Sequence, residues 1–115
     1  MFSAAADDSA VDGFAASVSQ FSPAGFRTMA LAAAEADLRH MLPDVAVPTL
    51  LLYGDHDERA PLHVAQGLRA GIPSSRLVVL PGVGHVSPVE APEAVSLALG
   101  DFLRAASQDV SRMEP

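Results

Sequence analysis

The chain has 115 residues, of which 50% are hydrophobic and 18% are charged, and its formal net charge is −7. This length and balance are typical of a single globular domain and argue against an intrinsically disordered protein. All seven basic side chains are arginines spread singly along the sequence, so the chain lacks the basic patch with which proteins bind nucleic acid. Because there is no cysteine, disulfides, thiolate metal sites and a cysteine nucleophile are excluded.

No apolar stretch is long enough for a membrane span, which needs roughly 20 apolar residues. Unbroken apolar runs such as Leu50 to Tyr53 and Leu77 to Leu80 have the length of strands. The first residues contain Asp7 and Asp8 but no basic residue, unlike the start of a secretion signal. We therefore predict a cytoplasmic protein that does not bind membranes.

The sequence before Pro48 has the pattern of alanine-rich helices. In the first predicted helix, apolar residues recur at spacings of three and four, which places them on one helical face. These residues are Val11, Phe14, Ala15, Val18 and Phe21.

Ser22-Pro23 is typical of a helix start, an N-cap followed by proline at the first helical position. It predicts a second helix from about Ala24 to Glu35. A shorter helix is predicted from Asp37 to Met41, ending before Pro43, because proline disfavours a helical conformation in the residue before it. We assign residues 1–46 to one helical segment.

In the second half of the chain, strands alternate with helices. Thr49 to Tyr53 and Leu77 to Leu80 are apolar runs without alternation, as in strands that are covered on both faces. Between them, Pro61 opens a helix that Gly71 stops, and a last helix begins near Pro92.

A strand, a helix and a second strand in this order form a βαβ unit with a right-handed crossover. Two parallel strands alone make a poor sheet and leave an edge bare. We therefore predict an α/β fold in which residues 47–106 form a strand–helix–strand–helix portion at the end of a larger sheet. Residues 107–115 are expected to be a polar, frayed tail.

The loops after the two predicted strands carry the residues best suited to chemistry, because ligands of open α/β sheets bind at the carboxyl ends of strands. Asp57 lies in the first loop and His85 in the second. Adjacent strands are about 4.8 Å apart, so the two side chains are within reach of each other. A carboxylate bonded to one imidazole nitrogen leaves the other free to take a proton from a nucleophile or water.

Two stretches around these loops resemble parts of the α/β-hydrolase family. Val47–Asp57, V-P-T-L-L-L-Y-G-D-H-D, resembles the family's penultimate strand and acid turn. Ile72–His85, I-P-S-S-R-L-V-V-L-P-G-V-G-H, resembles the final strand and histidine turn. By this resemblance, Asp57 is the acid of a catalytic triad and His85 is the general base.

Two further segments are similar to the same family. Glu90-Ala91-Pro92 and Phe102-Leu103 match its usual end, an E-x-P segment followed by a closing helix. The alanine-rich helices before Pro43 are similar to the end of a cap region in the esterase, lactonase and cofactor-free haloperoxidase branch. The resemblance thus implies the C-terminal part of an α/β-hydrolase sheet preceded by cap-like helices.

The family's nucleophile lies in a G-x-S-x-G elbow between a strand and a helix. The sequence contains no such motif, and only helical sequence precedes Pro48. An acid and a histidine without nucleophile or oxyanion donors should give little hydrolysis, so we expect the 115-residue chain alone to be inactive.

Two hypotheses about function follow. In the first, the chain supplies the acid and the histidine of a carboxylic ester or lactone hydrolase, for a small-molecule substrate. The nucleophile, a serine or an aspartate, then belongs to an N-terminal half outside this chain. In the second, the chain is a non-catalytic remnant that acts as a dimer or interaction module and associates through an exposed sheet edge.

The candidate residues also have structural interpretations. Asp57 can cap the Pro61 helix or close a turn. Asp55 is a minor rival for the triad acid, but it and Glu58 are typical solvated turn residues, and Glu90 can order the last loop. The remaining histidines are expected at the surface: His40, His56 and His63.

Metal and nucleotide sites are weaker interpretations. Asp55-His56-Asp57 offers oxygen and nitrogen ligands, but the EF-hand pattern fails and no histidine pair has i, i+4 spacing. Gly82-Val83-Gly84 lacks the third glycine of the dinucleotide fingerprint and follows the last predicted strand. We predict no metal and no cofactor.

Overall fold

The computed structural model describes the backbone of residues 1–113 and the side chains of residues 1–109. The first part of the chain is helical, and the second part alternates strands with helices. In chain order the elements are α1 (Asp8–Val18), α2 (Pro23–Glu35), a 3₁₀ helix (Arg39–Asp44), β1 (Thr49–Gly54), α3 (Leu62–Gly71), β2 (Ser75–Leu80), α4 (Ser87–Glu90) and α5 (Pro92–Met113).

Helix α2 begins as its sequence predicts. The Ser22 hydroxyl accepts a hydrogen bond from the Gly25 N–H at 3.3 Å. Pro23 occupies the first turn, where a backbone N–H has no acceptor within the helix, so proline costs no hydrogen bond there. The predicted end at Glu35 is also confirmed.

The third helical element differs from its prediction. It is a 3₁₀ helix over Arg39–Asp44 and includes Pro43, which was expected to lie beyond its end. Its turns close through hydrogen bonds from the Met41 N–H to the Leu38 carbonyl and from the Val45 N–H to the Leu42 carbonyl. Neither bond needs an N–H at position 43, so proline is tolerated there.

The sheet consists of β1 and β2 in parallel, in a register that runs from Thr49 opposite Ser75 to Gly54 opposite Leu80. Helix α3 connects the two strands, which confirms the predicted α/β class and the βαβ order. The most buried apolar side chains gather near α3 and the carboxyl ends of the strands. They are Ala65, Ile72, Leu80 and Val83.

The last part of the chain is more helical than predicted. A short helix, α4, occupies Ser87–Glu90, where a loop was expected. Helix α5 continues to Met113, so the expected frayed tail is wrong as far as residue 113. The reason is local, since no glycine or proline interrupts residues 101–113. The end of that predicted tail, residues 114 and 115, lies outside the described residues.

No helix described within residues 1–113 combines the length and the hydropathy needed to cross a membrane.

Candidate active site

The site lies where the acid turn (residues 54–60) meets the histidine turn (residues 81–85). A backbone hydrogen bond joins the turns, from the His56 N–H to the Val83 carbonyl at 3.0 Å, and a second one joins the acid turn to the end of β2, from the Asp55 N–H to the Leu80 carbonyl at 3.1 Å. Gly54 makes this approach possible, because a Cβ atom at that position would lie 2.0 Å from the Val83 carbonyl oxygen. A side chain there would push the two turns apart.

Asp57 uses both carboxylate oxygens. Its Oδ1 accepts hydrogen bonds from the Arg59 and Ala60 N–H groups, each at 2.9 Å, which closes the acid turn. Its Oδ2 lies 2.8 Å from Nδ1 of His85. The Asp57 side chain is only 6% exposed, whereas that of His85 is 40% exposed. Asp57 therefore closes a turn and holds an accessible histidine at the same time.

The protonation of the pair follows from these contacts. Burial pushes the pKa of Asp57 upward, but the Ala60 N–H, the His85 ring and the Arg59 N–H together hold it below its ordinary value of 3.8. The carboxylate is therefore ionised at neutral pH and can only accept hydrogen bonds. In the neutral imidazole, Nδ1 must then carry the proton, which leaves Nε2 as the acceptor.

Acid should weaken the fold through Asp57. Since its pKa is lower in the folded chain than in the unfolded chain, the unfolded state binds protons first as the pH falls. The stability that the ionised carboxylate provides is fully present above the ordinary value of 3.8 and is lost as the pH falls through the lower folded value. We expect urea unfolding to show a stability gap between the native chain and Asp57→Asn that shrinks as the pH falls from about 4 through the lower folded pKa of Asp57. A gap that is constant with pH would contradict this.

The histidine turn is held by further contacts. The Asp55 carboxylate accepts from the Gly82 N–H at 2.6 Å, and the Glu90 carboxylate accepts from the Gly84 N–H at 3.1 Å. The His85 N–H donates to the Met1 carbonyl at 2.7 Å. Asp55 lies exposed in a turn, as expected, and its side chain in addition bridges the two turns.

The remaining candidates lie at the surface. Glu58 is exposed, as expected, and so are the other three histidines, His40, His56 and His63. Beside the Asp57 carboxylate, residues 2–4 and 55–58 border an open depression of about 500 Å³. Within the described residues, no cluster of three or more histidine and carboxylate side chains is arranged to hold a metal ion.

Sequence reasoning missed the residues at the start of the chain. The Met1 carbonyl accepts a hydrogen bond from the histidine turn, and Ser3 binds Glu90. Ser3 and Glu90 are 87 positions apart, and no local pattern marks such a pair.

Residues 16–92 match the sequence profile of the alpha/beta hydrolase fold family, which is well over half of the chain. Among curated relatives, the uncharacterized hydrolase YugF of Bacillus subtilis is 35% identical over 71 residues, which are 61% of this chain and 26% of YugF. The pimeloyl-[acyl-carrier protein] methyl ester esterase of Yersinia enterocolitica is 42% identical over 67 residues, 58% of this chain and 26% of that enzyme. The chain thus spans 26% of the length of each of these relatives.

Solved structures show the same likeness. A thermophilic esterase from Thermogutta terrifontis superposes with a TM-score of 0.59 at 37% identity, covering 61% of this chain and 26% of the esterase. A bacterial membrane phospholipase A superposes with a TM-score of 0.63 at 30% identity, covering 67% of this chain and 25% of that protein. This profile match, together with the parallel βαβ unit and its helices, places the chain in the α/β-hydrolase fold family.

Proposed function

We propose that the chain supplies the acid, Asp57, and the general base, His85, of a hydrolase that cleaves carboxylic esters or lactones. The observation that supports this most directly is the 2.8 Å contact between Asp57 Oδ2 and His85 Nδ1 at the carboxyl ends of two adjacent parallel strands. A buried carboxylate that fixes the tautomer of an accessible imidazole is the arrangement that base catalysis needs.

The reaction also needs a nucleophile and donors for the oxyanion. The sequence has no G-x-S-x-G elbow, so we propose that a serine or aspartate outside these 115 residues attacks the carbonyl carbon. His85 Nε2 takes the proton of a serine nucleophile and returns it to the leaving alcohol as the ester bond breaks, and then activates water to release the acid. With an aspartate nucleophile, the attack gives a mixed anhydride, and a protonated His85 gives its Nε2 proton to the leaving alkoxide. The neutral ring then takes a proton from the water that cleaves the anhydride. Asp57 stabilises the imidazolium in either case.

The substrate class rests on the relatives. The Yersinia enterocolitica and Thermogutta terrifontis proteins are both named as esterases. We propose a small neutral ester or lactone, because the exposed carboxylates of Asp55 and Glu58 in the acid turn would repel an anionic substrate.

The proposed roles of Asp57 and His85 can be tested in a chimeric enzyme, called here the grafted hydrolase. This chain replaces the segment of the Thermogutta terrifontis esterase that it matches, so that the esterase provides the nucleophile. We expect this grafted hydrolase to cleave p-nitrophenyl butyrate, and His85→Ala to lower kcat by about 10⁴-fold or more. The matched control is His63→Ala, which removes an exposed histidine of α3 and should leave kcat unchanged.

Two results would overturn the proposal. One is a grafted hydrolase with the circular dichroism spectrum of the parent esterase but no activity towards the ester. The other is an active graft that keeps its kcat when His85 is replaced by alanine.

A second candidate function is an interaction module that self-associates. Within the described residues the sheet has only two strands, so each strand has a free edge. Large apolar side chains such as Phe21, Met29 and Leu97 are more than half exposed. The radius of gyration is 16.7 Å, whereas a compact chain of this length has about 13 Å. These features favour association with another polypeptide surface.

Self-association can be tested on the edge strand. Val79 lies on β2 and is exposed, so Val79→Lys places a charge where a second sheet would approach. By light scattering over a series of micromolar concentrations, we expect dimers of the native chain and a shift of about tenfold or more towards monomer in the variant. Val64→Lys, on the exposed side of α3, is the control. A native chain that stays monomeric, or an equal effect of Val64→Lys, would count against association through the edge.

A further inference from the structure

Glu90 lies between the histidine turn and the start of the chain. Its carboxylate is within hydrogen-bonding distance of the Gly84 N–H and the Ser3 N–H, at 3.1 Å each through Oε2, and it also accepts from the Ser3 hydroxyl. We propose that Glu90 is a positioning residue for His85, and that it acts by binding residues 1–3 and the histidine turn to each other.

The two segments bonded by Glu90 are also in direct contact. The His85 N–H donates to the Met1 carbonyl at 2.7 Å, one residue beyond the Gly84 N–H that Glu90 accepts. At Gly84, a Cβ atom would lie 2.7 Å from both the Met1 oxygen and the Ser3 nitrogen, so the backbones touch there. Consecutive N–H groups of the histidine turn are thus bonded to the carboxylate and to the segment that it holds.

Residues 1–3 are anchored on their other side as well. The ring of Phe2 meets the ring of Phe14 in α1 edge to face, with centroids 5.4 Å apart. The segment therefore links a helix of the cap-like region to the histidine turn. Without Glu90, the Met1 carbonyl would remain as a hydrogen-bond partner for the turn, but the segment that presents it would be held only by apolar contact.

A negative charge suits this position. Burial raises the pKa of Glu90, but the hydrogen bonds from the Ser3 side chain, the Ser3 N–H and the Gly84 N–H outweigh it, and the nearby His56 adds to the lowering. The carboxylate is therefore ionised at neutral pH, and hydrogen bonds to a charged acceptor are about twice as strong as neutral ones. None of the contacts described for Glu90 involves the imidazole of His85, so Glu90 acts through the backbone that carries it.

The inference rests on the proposed role of His85 as general base, but it can be measured without catalysis. The measurement is two-dimensional nitrogen–proton NMR of the 115-residue chain, which reports the tautomer of His85 and the exchange rates of the Gly84 and Ser3 amides. In the native chain we expect the Nδ1–H tautomer and slow exchange of both amides. Inactivity of the grafted hydrolase would refute the catalytic proposal and leave this measurement unaffected.

We expect Glu90→Ala to accelerate exchange of the Gly84 and Ser3 amides by about tenfold or more and to give a mixture of His85 tautomers. Glu90→Gln keeps one oxygen acceptor, so it should have an intermediate effect. Glu93→Ala removes an exposed carboxylate three residues further along, in the first turn of α5, and should change neither readout.

If Glu90→Ala fails to fold, the proposal is tested by amide exchange and the His85 tautomer in the isosteric variant Glu90→Gln. A folded Glu90 variant with native amide exchange and a native His85 tautomer would overturn the proposal. Loss of the folded spectrum in both variants would also overturn it, because Glu90 would then support the whole fold and not the placement of His85.

Discussion

Asp57→Asn should lower kcat of the grafted hydrolase by about 10⁴-fold and leave KM nearly unchanged. The asparagine keeps an oxygen for the Arg59 and Ala60 N–H groups, so the acid turn stays closed. Its amide nitrogen then faces His85 Nδ1 and donates to it. The imidazole proton moves to Nε2, and the ring can no longer accept a proton from the nucleophile.

Asp55→Asn is the matched control for this substitution. Asp55 stands two positions before Asp57 and bonds the Gly82 N–H through one oxygen, which asparagine preserves. Its effect on kcat should stay within about tenfold. The tautomer argument would be wrong if both variants lost activity equally, or if the His85 nitrogen shifts of Asp57→Asn showed Nδ1 still protonated.

Gly54→Ala should have the largest effect on stability. The added Cβ atom would lie 2.0 Å from the Val83 oxygen and 2.5 Å from the Val83 carbonyl carbon, so the backbone of the histidine turn has to move. We expect a loss of more than about 4 kcal/mol in the free energy of unfolding, measured by urea titration with circular dichroism. A chain of marginal stability would then be largely unfolded in water.

Gly67→Ala is the control, because Gly67 lies inside α3 and no atom would come within 4 Å of its Cβ. Alanine favours the helix over glycine by about 1 kcal/mol, so this variant should be slightly more stable than the native chain. The close approach of the two turns would be refuted if Gly54→Ala unfolded at the native urea midpoint.

The sequence predicted helices and strands correctly where residues close together in the chain determine them. The Ser22-Pro23 pair marks the start of α2 because both residues act within one helical turn. The apolar runs after Pro48 and before Pro81 mark two strands, β1 and β2, because such runs are typical of parallel strands. The expected cover on both faces is wrong within the described residues, since most side chains of the two strands are only half-buried. The α/β class and the βαβ order follow from these elements.

Three predictions about helices were wrong: the end of the third helical element, the start of the C-terminal tail and the loop before Pro92. The 3₁₀ helix passes through Pro43, because no turn needs its N–H. Helix α5 continues to Met113 because no residue in the polar stretch breaks a helix. Helix α4 was not predicted, because a helix of four residues is too short to show a repeat of apolar residues in the sequence.

By itself, the sequence determined that Asp57 and His85 follow two neighbouring strands, since each residue closes a recognisable strand-and-turn pattern. Only the tertiary structure decided how the two turns are held. Asp55 bonds Gly82 across 27 positions, and Glu90 bonds Ser3 across 87. These hydrogen bonds depend on the relative placement of whole elements, and the surrounding packing sets that placement to fractions of an ångström. A short-range pattern in the sequence carries no information about such distances.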